Sequence, residues 1–541
     1  MQILFDMERK RKCPFLAALF CFDVPEKEYE LLETEHGAPN FVPHWDGAPE
    51  KKASTEEPVS RSLEKNRKRI YDAYRGDVNT DVILRPFMLG GKIRALAAFM
   101  NGMADGEQIN HFILKPAMRG GAARNAKQKI AEFALLHVFT MQEAELSQSF
   151  EDVFNAVSDG KTVVFFEGDD TVVIMDTRGF ASRSVGTPEN ETVILGPKEA
   201  FTENLRTNIT LLRRIIRTDD FVCEFRRSGG KNHTNLAIAY REGVTNNSLV
   251  DEVKRRMASI DTLMVLSSGM TEQLTERHPF SPVPQALTTE RPDRVAAHLM
   301  QGHIAVIVEG SPLVLVMPAT LFTLMSTSAD AYHRQPIGTI VRVVRYIGAF
   351  LSIVMPGYFI ALAMHHQGML SGEVLATVVA SRNMVFLPLP LEMIFLLLVF
   401  QLVREAGLSA PGPMGQSIGI IGGLILGQAA VTANIASTVV LIIVALTGIG
   451  NFTIPDYSTQ LSVAYYRIVL VIMAWIGGLL GFSCTILLTV AYLASLKSYG
   501  VPFLTPAAPK TNAKGPLILR GRMKNNVRLT DSMNPVRRKY S

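Results

Sequence analysis

The chain has 541 residues, a charged fraction of 19% and a formal net charge of +5, yet its charges are unevenly placed. Residues 346–364, 406–455 and 468–496 contain no Asp, Glu, Lys or Arg. About 20 apolar residues cross the hydrocarbon core of a bilayer, so this pattern excludes a wholly soluble protein. We predict an integral membrane protein with an α/β soluble N-terminal region, made of two mixed α/β subdomains, followed by an α-helical transmembrane bundle.

The soluble part is expected to begin with a disordered extension over residues 1–59, which is rich in Pro, Glu and Lys. A first α/β subdomain is predicted over residues 60–195. Its predicted elements are helices at 62–74, 92–104 and 107–115, followed by strands at 161–166 and 171–175 around a tight turn.

A second α/β subdomain is predicted over residues 196–335. Its predicted elements are a helix at 199–217, hairpin strands at 221–225 and 235–240, a helix that Ser248 caps and that ends at Ile260, and strands at 304–308 and 313–317. Each strand is too short to cross a membrane and is bounded by turn residues. We expect both subdomains to contain mixed sheets.

The transmembrane domain is predicted over residues 336–500, with four to five spans. Its helices are expected near 346–364, 384–403, 417–433 and 468–494, with a further piece near 435–450. A single helix through the whole central stretch would be too long for the bilayer, so we expect a break at Asn434. The bundle then has either four crossings and a re-entrant piece or five full crossings.

Basic residues flank the transmembrane domain on both sides. Arg342 and Arg345 precede the first span, and the tail over residues 501–541 holds nine Lys or Arg against one acid, Asp531. The positive-inside rule predicts cytoplasmic N- and C-termini and favours an even number of crossings. The tail is expected either to contact anionic membrane lipid or to be solvated and disordered.

No enzyme signature is present in the sequence. Residues Ser228-Gly-Gly-Lys-Asn232 match only part of a phosphate-binding loop, because the first glycine of that pattern falls at Phe225 and Asn232 replaces Ser or Thr. We predict a hairpin turn there instead. The four cysteines form neither a CxxC pair nor a cluster with histidine, so no disulfide framework or zinc site is indicated. The chain is predicted to be a non-enzyme without cofactor, metal or nucleic-acid partner.

Polar side chains at membrane depth are costly and usually functional. The candidates for lining a pore are Glu392, Gln401, Gln428, Thr432 and Asn434. For the four neutral residues, hydrogen bonds between helices of the same chain are the favoured interpretation. For Glu392, which is expected close to one membrane face, a pore role and a structural role are equally supported.

Glycines recur at a spacing of four residues in two predicted membrane helices. They are Gly419, Gly423 and Gly427 in one helix, and Gly477 and Gly481 in the other. Small residues at this spacing let another helix backbone approach closely. The pattern fits a subunit interface and packing within one chain equally well.

Several short motifs resemble the A subunit of the spore germinant receptors, the GerA family of spore germination proteins. The run GPKEAFTENLRTN is similar to a box of that family, and its matching residues are Gly196, Pro197, Glu199, Glu203, Asn204 and Asn208. Later matching blocks lie at 280–285, 289–293, 308–312, 404–407, 427–431, 447–450 and 453–455. The resemblance extends from about residue 60 to residue 505.

The resemblance implies a nutrient-sensing subunit of a receptor in the spore inner membrane. It also implies a transporter-like B subunit and a lipoprotein C subunit as partners, and a homo-oligomer that forms a ligand-gated ion channel. In one respect the chain departs from the family, because Leu397 and Gln401 stand where members often carry carboxylates. A ring of acids that selects cations is therefore less secure here.

Two other functions remain open from the sequence. One is a sporulation-type paralogue of the A subunit, which acts downstream in germination. The other is a stand-alone secondary transporter, which would require inverted repeats with broken helices in matching positions. No such pairing is visible in the sequence.

Overall fold

The computed structural model describes residues 58–119, 129–179, 186–188, 191–229, 234–409, 423, 425–508 and 533. Outside the described residues lie the predicted N-terminal extension up to residue 57, most of the predicted basic tail after residue 508, Gly419 and most of the turn at 228–232. The described chain forms two five-stranded sheets, each covered by helices, and then a bundle of apolar helices. The predicted α/β region followed by a helical domain is confirmed.

The first subdomain contains four helical segments and five strands. They are α1 (Leu63–Ala73), β1 (Val82–Leu89), β2 (Ile93–Met100), α2 (Gly106–Gln108, a π-helical stretch Ile109–Leu114, and Lys115–Arg119), α3 (Ile130–His137), β3 (Ala144–Ser147), α4 (Phe150–Ser158), β4 (Thr162–Phe166) and β5 (Val172–Met175). The predicted strand pair at 161–166 and 171–175 is confirmed as β4 and β5.

Both faces of the first sheet are covered, which explains why β4 and β5 are apolar at every position except Thr162. Val163 and Phe165 point to the core under α1 and α4, whereas Val164 and Phe166 point to the core under α2 and α3. A strand between two helical layers needs apolar side chains at every position rather than at alternate ones. The strand order is β1-β2-β4-β5-β3.

The predicted helix at 92–104 is wrong, because residues Ile93–Met100 form the strand β2. Alanine and leucine give this segment a high helix propensity. However, β2 is hydrogen-bonded to β1 on one side and to β4 on the other. Residues 95–98 are almost fully buried, so tertiary packing decides the conformation and overrides local preference.

The second subdomain repeats this plan. Its elements are α5 (Leu205–Ile215), β6 (Phe221–Ser228), β7 (Thr234–Arg241), α6 (Asn247–Ala258), α7 (Ser268–Thr275), β8 (Leu287–Thr289), α8 (Pro292–Leu299), β9 (Ile304–Val308), β10 (Val314–Met317), α9 (Leu321–Leu324) and α10 (Ala329–Tyr332). The strand order β6-β7-β9-β10-β8 matches that of the first sheet position for position. The subdomains are therefore two copies of one topology.

Two details of the predicted subdomains need correction. Every pair of neighbouring strands in both five-stranded sheets is antiparallel, whereas mixed sheets were expected. The helix α6 is capped by Asn246, whose side chain accepts a hydrogen bond from the Ser248 N–H at 2.9 Å, so Ser248 lies inside the helix. Asn and Ser are both good caps, and the helix begins directly after Asn246.

The helical domain consists of α11 (Gln335–His365), a short 3-10 turn (Gln367–Met369), α12 (Gly372–Arg382), α13 (Leu389–Ser409), a helical segment over residues 425–432, α14 (Thr438–Phe452) and α15 (Tyr457–Ser495). Among the described helices, Pro336–His365 and Tyr457–Ser495 are long and apolar enough to cross a membrane. The expected break at Asn434 is present as a turn in which Asn434 has a positive φ of 55°.

The chain reverses direction inside α15. Gly478 has a non-helical backbone conformation (φ 57°, ψ −141°). Leu470 and Phe482, on opposite sides of Gly478, both lie against Gly357 of α11. Tyr466 and Leu493 pack on the same core of the second subdomain. The helix is thus two antiparallel arms, 457–477 and 479–495, and the predicted single last helix at 468–494 is wrong.

The bundle has two ends, which we call the soluble end and the distal end. At the soluble end, Arg345 of α11 donates to the Met325 carbonyl of the second subdomain at 2.7 Å. At the distal end, the Nε2 atom of His365 lies 2.8 Å from the Trp475 carbonyl, close to the reversal at Gly478. The helices α11, α13, α14 and the two arms of α15 all run between these ends.

The segment after α15 returns to the soluble region. A two-stranded ribbon, β11 (Lys497–Ser498) with β12 (Val501–Pro502), lies against the second subdomain. Leu496 and Phe503 are buried in the core on one face of its sheet, and Tyr499 and Val501 in the core on the other. The predicted boundary at residue 500 did not anticipate this, because residues 496–503 complete the second subdomain.

Candidate functional site

Glu392 is fully buried at the distal end of the bundle. Its Oε1 atom accepts hydrogen bonds from the N–H of Ser437 at 2.6 Å and from the Ser437 hydroxyl at 2.7 Å. Its Oε2 atom accepts from the Nε atom of Arg382 at 3.3 Å. The carboxylate therefore joins the end of α12, the first turn of α13 and the start of α14.

The partners of Glu392 could not be read from the sequence. Arg382 and Ser437 lie 10 and 45 residues away along the chain, and no motif links them. The position of Glu392 within the first turn of α13, where a carboxylate interacts favourably with the helix dipole, is the only local signal.

The neutral polar candidates lie on a different surface. Gln428, Thr432 and Asn434 are exposed on the segment that leads into α14, and the Thr432 hydroxyl donates to the Gln428 carbonyl at 2.8 Å. Gln401 is half-buried in α13, three residues from Arg404 and thus toward the soluble end. The structure brings Gln428, Thr432 and Asn434 together near the turn at Asn434, at the distal end of the bundle. It leaves Gln401 apart from them.

The repeated glycines have different environments. A side chain at Gly481 would overlap the Met473 carbonyl, so Gly481 permits the close approach of the two arms of α15. Gly427 is in ordinary contact with Leu441 of α14. At Gly423 and Gly477, an added Cβ would have no described atom within 4 Å.

Another close glycine contact joins α11 and α14. Gly450 of α14 lies against the carbonyl of Gly348 in α11, so these two helices touch through their backbones. Neither glycine belongs to a four-residue repeat within its own helix. The pairing depends on the fold and has no sequence signal.

A buried ion pair fastens the membrane bundle to the second subdomain. Asp330, on α10, accepts hydrogen bonds from Arg345 at 2.9 Å on both carboxylate oxygens and from Arg342 at 3.0 Å. Burial opposes the charged form, but the hydrogen bonds from Arg345 together with the positive charges of Arg345 and Arg342 outweigh it and hold the pKa of Asp330 below its ordinary value. The two arginines expected to flank the first span therefore also form the joint between domains.

The motif residues stabilise the loop before α5. Asn204 caps that helix by accepting from the Thr207 N–H at 3.1 Å. The buried Asn208 side chain accepts from the Thr202 N–H at 2.7 Å and donates to the Thr202 carbonyl at 2.6 Å. Glu199 forms an ion pair with Arg214 on α5.

The same motif connects this loop to the joint with the membrane bundle. The Pro197 carbonyl accepts from Arg291 at 2.9 Å, and Gly196 lies against the ring of Tyr332 on α10. The Gly196 backbone has a φ of 121°, which favours glycine. The carbonyl of Glu203 accepts from the N–H of Gly310, while the Glu203 side chain is exposed. These contacts are structural, and the contact of Gly196 with Tyr332 reaches α10, the helix that carries Asp330.

Two glutamates near the start of α15 have raised pKa values. Burial, with repulsion from Glu276 and Asp456, raises the pKa of Glu272 to about 8. Burial likewise raises the pKa of Glu276 to about 7. Among the described residues, no group of three or more His, Cys, Asp or Glu is arranged to hold a metal ion.

The chain is similar to known proteins over most of its length. The family described as Bacillus/Clostridium GerA spore germination protein matches residues 69–529. Spore germination protein KA of Bacillus subtilis (strain 168) is 33% identical over 435 residues, which cover 80% of this chain and 79% of that protein. YfkQ of the same organism, named an uncharacterized membrane protein, is 31% identical over 454 residues, which cover 84% of this chain and 87% of that protein.

One solved structure is also similar. It is the crystal structure of the N-terminal domain of the A subunit of the Bacillus megaterium spore germinant receptor GerK3. The sequence identity is 26% and the TM-score is 0.39, with 50% of this chain and 99% of that chain covered.

Proposed function

This chain belongs to the GerA family of spore germination proteins, and from that premise we propose that it is the A subunit of a nutrient-sensing germinant receptor. The proposed subunit resides in the spore inner membrane and oligomerises into a ligand-gated ion channel. A transporter-like B subunit and a lipoprotein C subunit are its proposed partners. No catalytic role is proposed.

The observation that carries the channel proposal is the exposed polar turn at the distal end. Gln428 and Thr432, in the helical segment 425–432, and Asn434, in the turn that follows it, are exposed in the single chain although apolar helices lie beside them. Polar groups exposed at such a position are costly in lipid, so they need water or a neighbouring subunit. A ring of these turns around an oligomer axis would line a hydrated path.

Gating is proposed to act through the joint at Asp330. A movement of the second subdomain would be transmitted to α11 through Arg345 and to the second arm of α15 through the buried residues 496–503. Both connections are held by the same subdomain. A rigid attachment at two points favours coupled movement of the helices over independent movement.

The helices of the bundle support six crossings. The chain leaves the soluble end in α11 and returns to it in α13, α14 and the second arm of α15. An even number places both termini on one side, as the basic flanks predicted. We propose that this side is the cytoplasm.

The channel proposal is tested by ion flux through the full-length chain in liposomes. Potassium efflux is measured for the wild type, for the double variant Gln428→Leu with Thr432→Val, and for the control Thr489→Val. Thr432 and Thr489 both donate to the carbonyl four residues earlier, so the control removes the same local hydrogen bond elsewhere.

We expect efflux to fall about tenfold or more in the double variant and to stay unchanged in the control, since each hydrogen-bonding group removed from an ion path is worth about 1–2 kcal/mol. Equal efflux from all three proteins would remove the pore assignment. Absence of efflux from the wild type, with and without the B and C subunits and with a mixture of amino acids and sugars added as nutrient, would overturn the channel role.

A further inference from the structure

Two arginines are buried near the soluble end of the bundle without a carboxylate partner. Arg404 on α13 and Arg467 on the first arm of α15 are 9% and 4% exposed. The other partly or fully buried arginines of the bundle are neutralised, Arg342 and Arg345 by Asp330 and Arg382 by Glu392. Within the described residues, neither Arg404 nor Arg467 forms an ion pair.

Arg467 is held only by neutral acceptors. Its Nε atom donates to the Ser352 carbonyl at 2.9 Å, and its Nη2 atom donates to the Ser352 hydroxyl at 2.7 Å and to the Asn451 amide oxygen at 2.9 Å. These bonds fix the guanidinium between α11, α14 and α15. They do not cancel its charge.

One N–H donor group of Arg404 has no hydrogen-bond partner in the described structure. Its Nη2 atom donates to the Gln460 amide oxygen at 2.6 Å, and its guanidinium lies 5.1 Å from the ring centre of Tyr457 and 6.0 Å from that of Phe452. Its Nη1 atom is buried and has no hydrogen-bond partner in the described structure. A buried donor on a charged group is destabilising when it has no hydrogen-bond acceptor.

The nearest carboxylates along the chain do not pair with either arginine. Asp456 caps α15, accepting from the Thr459 N–H at 2.7 Å and the Thr459 hydroxyl at 2.6 Å. Glu405 follows Arg404 but is exposed. The positive charge of the two guanidiniums is therefore unbalanced inside the protein.

We propose that Arg404, with the charge of Arg467 behind it, forms a binding site for a phosphate-type oxyanion at the soluble end of the bundle. The Nη1 atom of Arg404 donates directly to the anion, because guanidinium groups bind phosphate oxygens strongly. Arg467 acts at longer range, by making the surroundings positive. The site does not depend on the channel role.

The anion has two possible sources with the same chemistry. One is the headgroup of an anionic phospholipid, which suits the position of the site. Phe452 and Tyr457 are exposed there, at the ends of two apolar helices, where aromatic residues mark the membrane interface. The other source is free phosphate from the aqueous phase. In either case the anion would tie α13 to α14 and α15.

The test measures thermal unfolding of the full-length chain in a non-ionic detergent. The probes are inorganic phosphate, a short-chain phosphatidylglycerol and, as the uncharged-headgroup control, a short-chain phosphatidylcholine, all at constant ionic strength. The variants are Arg404→Gln and the control Arg334→Gln, which removes the same charge from an exposed residue next to α11.

We expect the unfolding midpoint of the wild type and of Arg334→Gln to rise in a saturable way with an anionic probe. Arg404→Gln should need about tenfold or more of that probe for half the effect. A rise with phosphate identifies a free anion, and a rise with phosphatidylglycerol alone identifies a lipid headgroup.

The proposal is overturned if neither anionic probe stabilises the wild type more than phosphatidylcholine does. It is also overturned if both variants respond equally, since the effect would then come from general surface charge. If Arg404→Gln does not fold, Arg404→Lys replaces it, because lysine keeps the charge but loses the planar donor pair. Unchanged half-saturation in that variant would equally reject the site.

Discussion

A buried ion pair between Asp81 and Arg213 joins the two soluble subdomains. The Nη2 atom of Arg213 lies 2.8 Å from Asp81 Oδ2, and both side chains are 3% exposed. The same guanidinium also donates to Asn79 at 3.2 Å. Because the pair is buried, its removal leaves an uncompensated charge rather than a solvated one.

Replacement of Asp81 by Asn should destabilise the chain by about 3–5 kcal/mol, since Arg213 would stay buried without an anion. The measurement is urea unfolding of the full chain in detergent. The control is Glu145→Gln, which breaks a single pair with Lys161 in which the glutamate side chain is 62% exposed. That control should cost no more than about 1 kcal/mol, and similar losses in both variants would contradict the prediction.

Glu272 makes stability depend on pH. Its pKa of about 8 in the folded chain lies above the ordinary value of 4.5, so the folded state binds the proton more tightly than the unfolded state does. Its favourable contribution is therefore complete below pH 4.5 and is lost as the pH rises through about 8. Glu276 acts in the same direction up to about pH 7.

Glu272→Gln should flatten the fall in unfolding free energy between about pH 5 and 8, because glutamine cannot lose a proton. The measurement is denaturant unfolding of the full chain at several pH values in that range. Glu132→Gln, on the exposed side of α3, serves as the control and should keep the wild-type slope. A Glu272→Gln profile that is as steep as the wild type would reject this origin of the pH dependence.

Single residues also show how far the candidate site could be predicted. Glu392 was recognised as special because a carboxylate in an apolar helix needs a reason. Its bonds to Arg382 and Ser437 depend on how three helices meet, and no sequence pattern encodes that meeting. Arg404 was noticed only as part of a motif, because an unpartnered donor is visible only in three dimensions.

At the scale of elements, the helices and strands that could be predicted are those marked by a pattern within their own segment of sequence. Most strands are short apolar runs between turn residues, and β4, β5, β9 and β10 were predicted to within a residue or two. The strand β2 was missed because its alanines favour a helix until neighbouring strands pair with them. The reversal in α15 was missed because the run around Gly478 is apolar throughout.

The reversal in α15 depends on Gly478 and not on the neighbouring Gly477. The φ of 57° at Gly478 is unfavourable for any residue with a Cβ atom, and an added Cβ would lie 2.9 Å from the Cβ of His365. Gly477 has helical geometry and no atom within 4 Å of an added Cβ. The two glycines therefore offer a matched pair of substitutions.

Gly478→Ala should cost at least about 1–2 kcal/mol, the strain of a left-handed backbone, and more if His365 cannot move. Gly477→Ala should be neutral or stabilise the helix by up to about 1 kcal/mol. The unfolding midpoint of each purified variant in detergent provides the comparison. Equal midpoints would mean that the chain does not turn at Gly478.

At the scale of the whole molecule, one subdomain holds both the first and the last helix of the membrane bundle. The second sheet contacts α11 through Asp330 and contains residues 496–503 in its two cores. The first subdomain has the same strand order but no such membrane attachment among the described contacts. We infer that the two copies of the fold have different roles. Among the described contacts, the second copy is the one placed to move the helices.

The six-crossing arrangement makes a prediction that distinguishes it from four or five crossings. In a single last span over 468–494, Gly477 would lie deep in the membrane. In the observed hairpin it lies beside the reversal at the distal end. A cysteine at position 477 should therefore react with a membrane-impermeant thiol reagent from the distal side.

The experiment uses the full chain with its own four cysteines replaced by serine and one cysteine added at a time. Gly368→Cys and Met384→Cys mark the distal side, and Arg334→Cys and Ala508→Cys mark the soluble side; all four positions are exposed. In vesicles of known orientation, Gly477→Cys should label with the first pair and not with the second. An unreactive Gly477→Cys, or opposite labelling of Arg334→Cys and Ala508→Cys, would contradict six crossings, because the chain must return to the soluble side after an even number of passages.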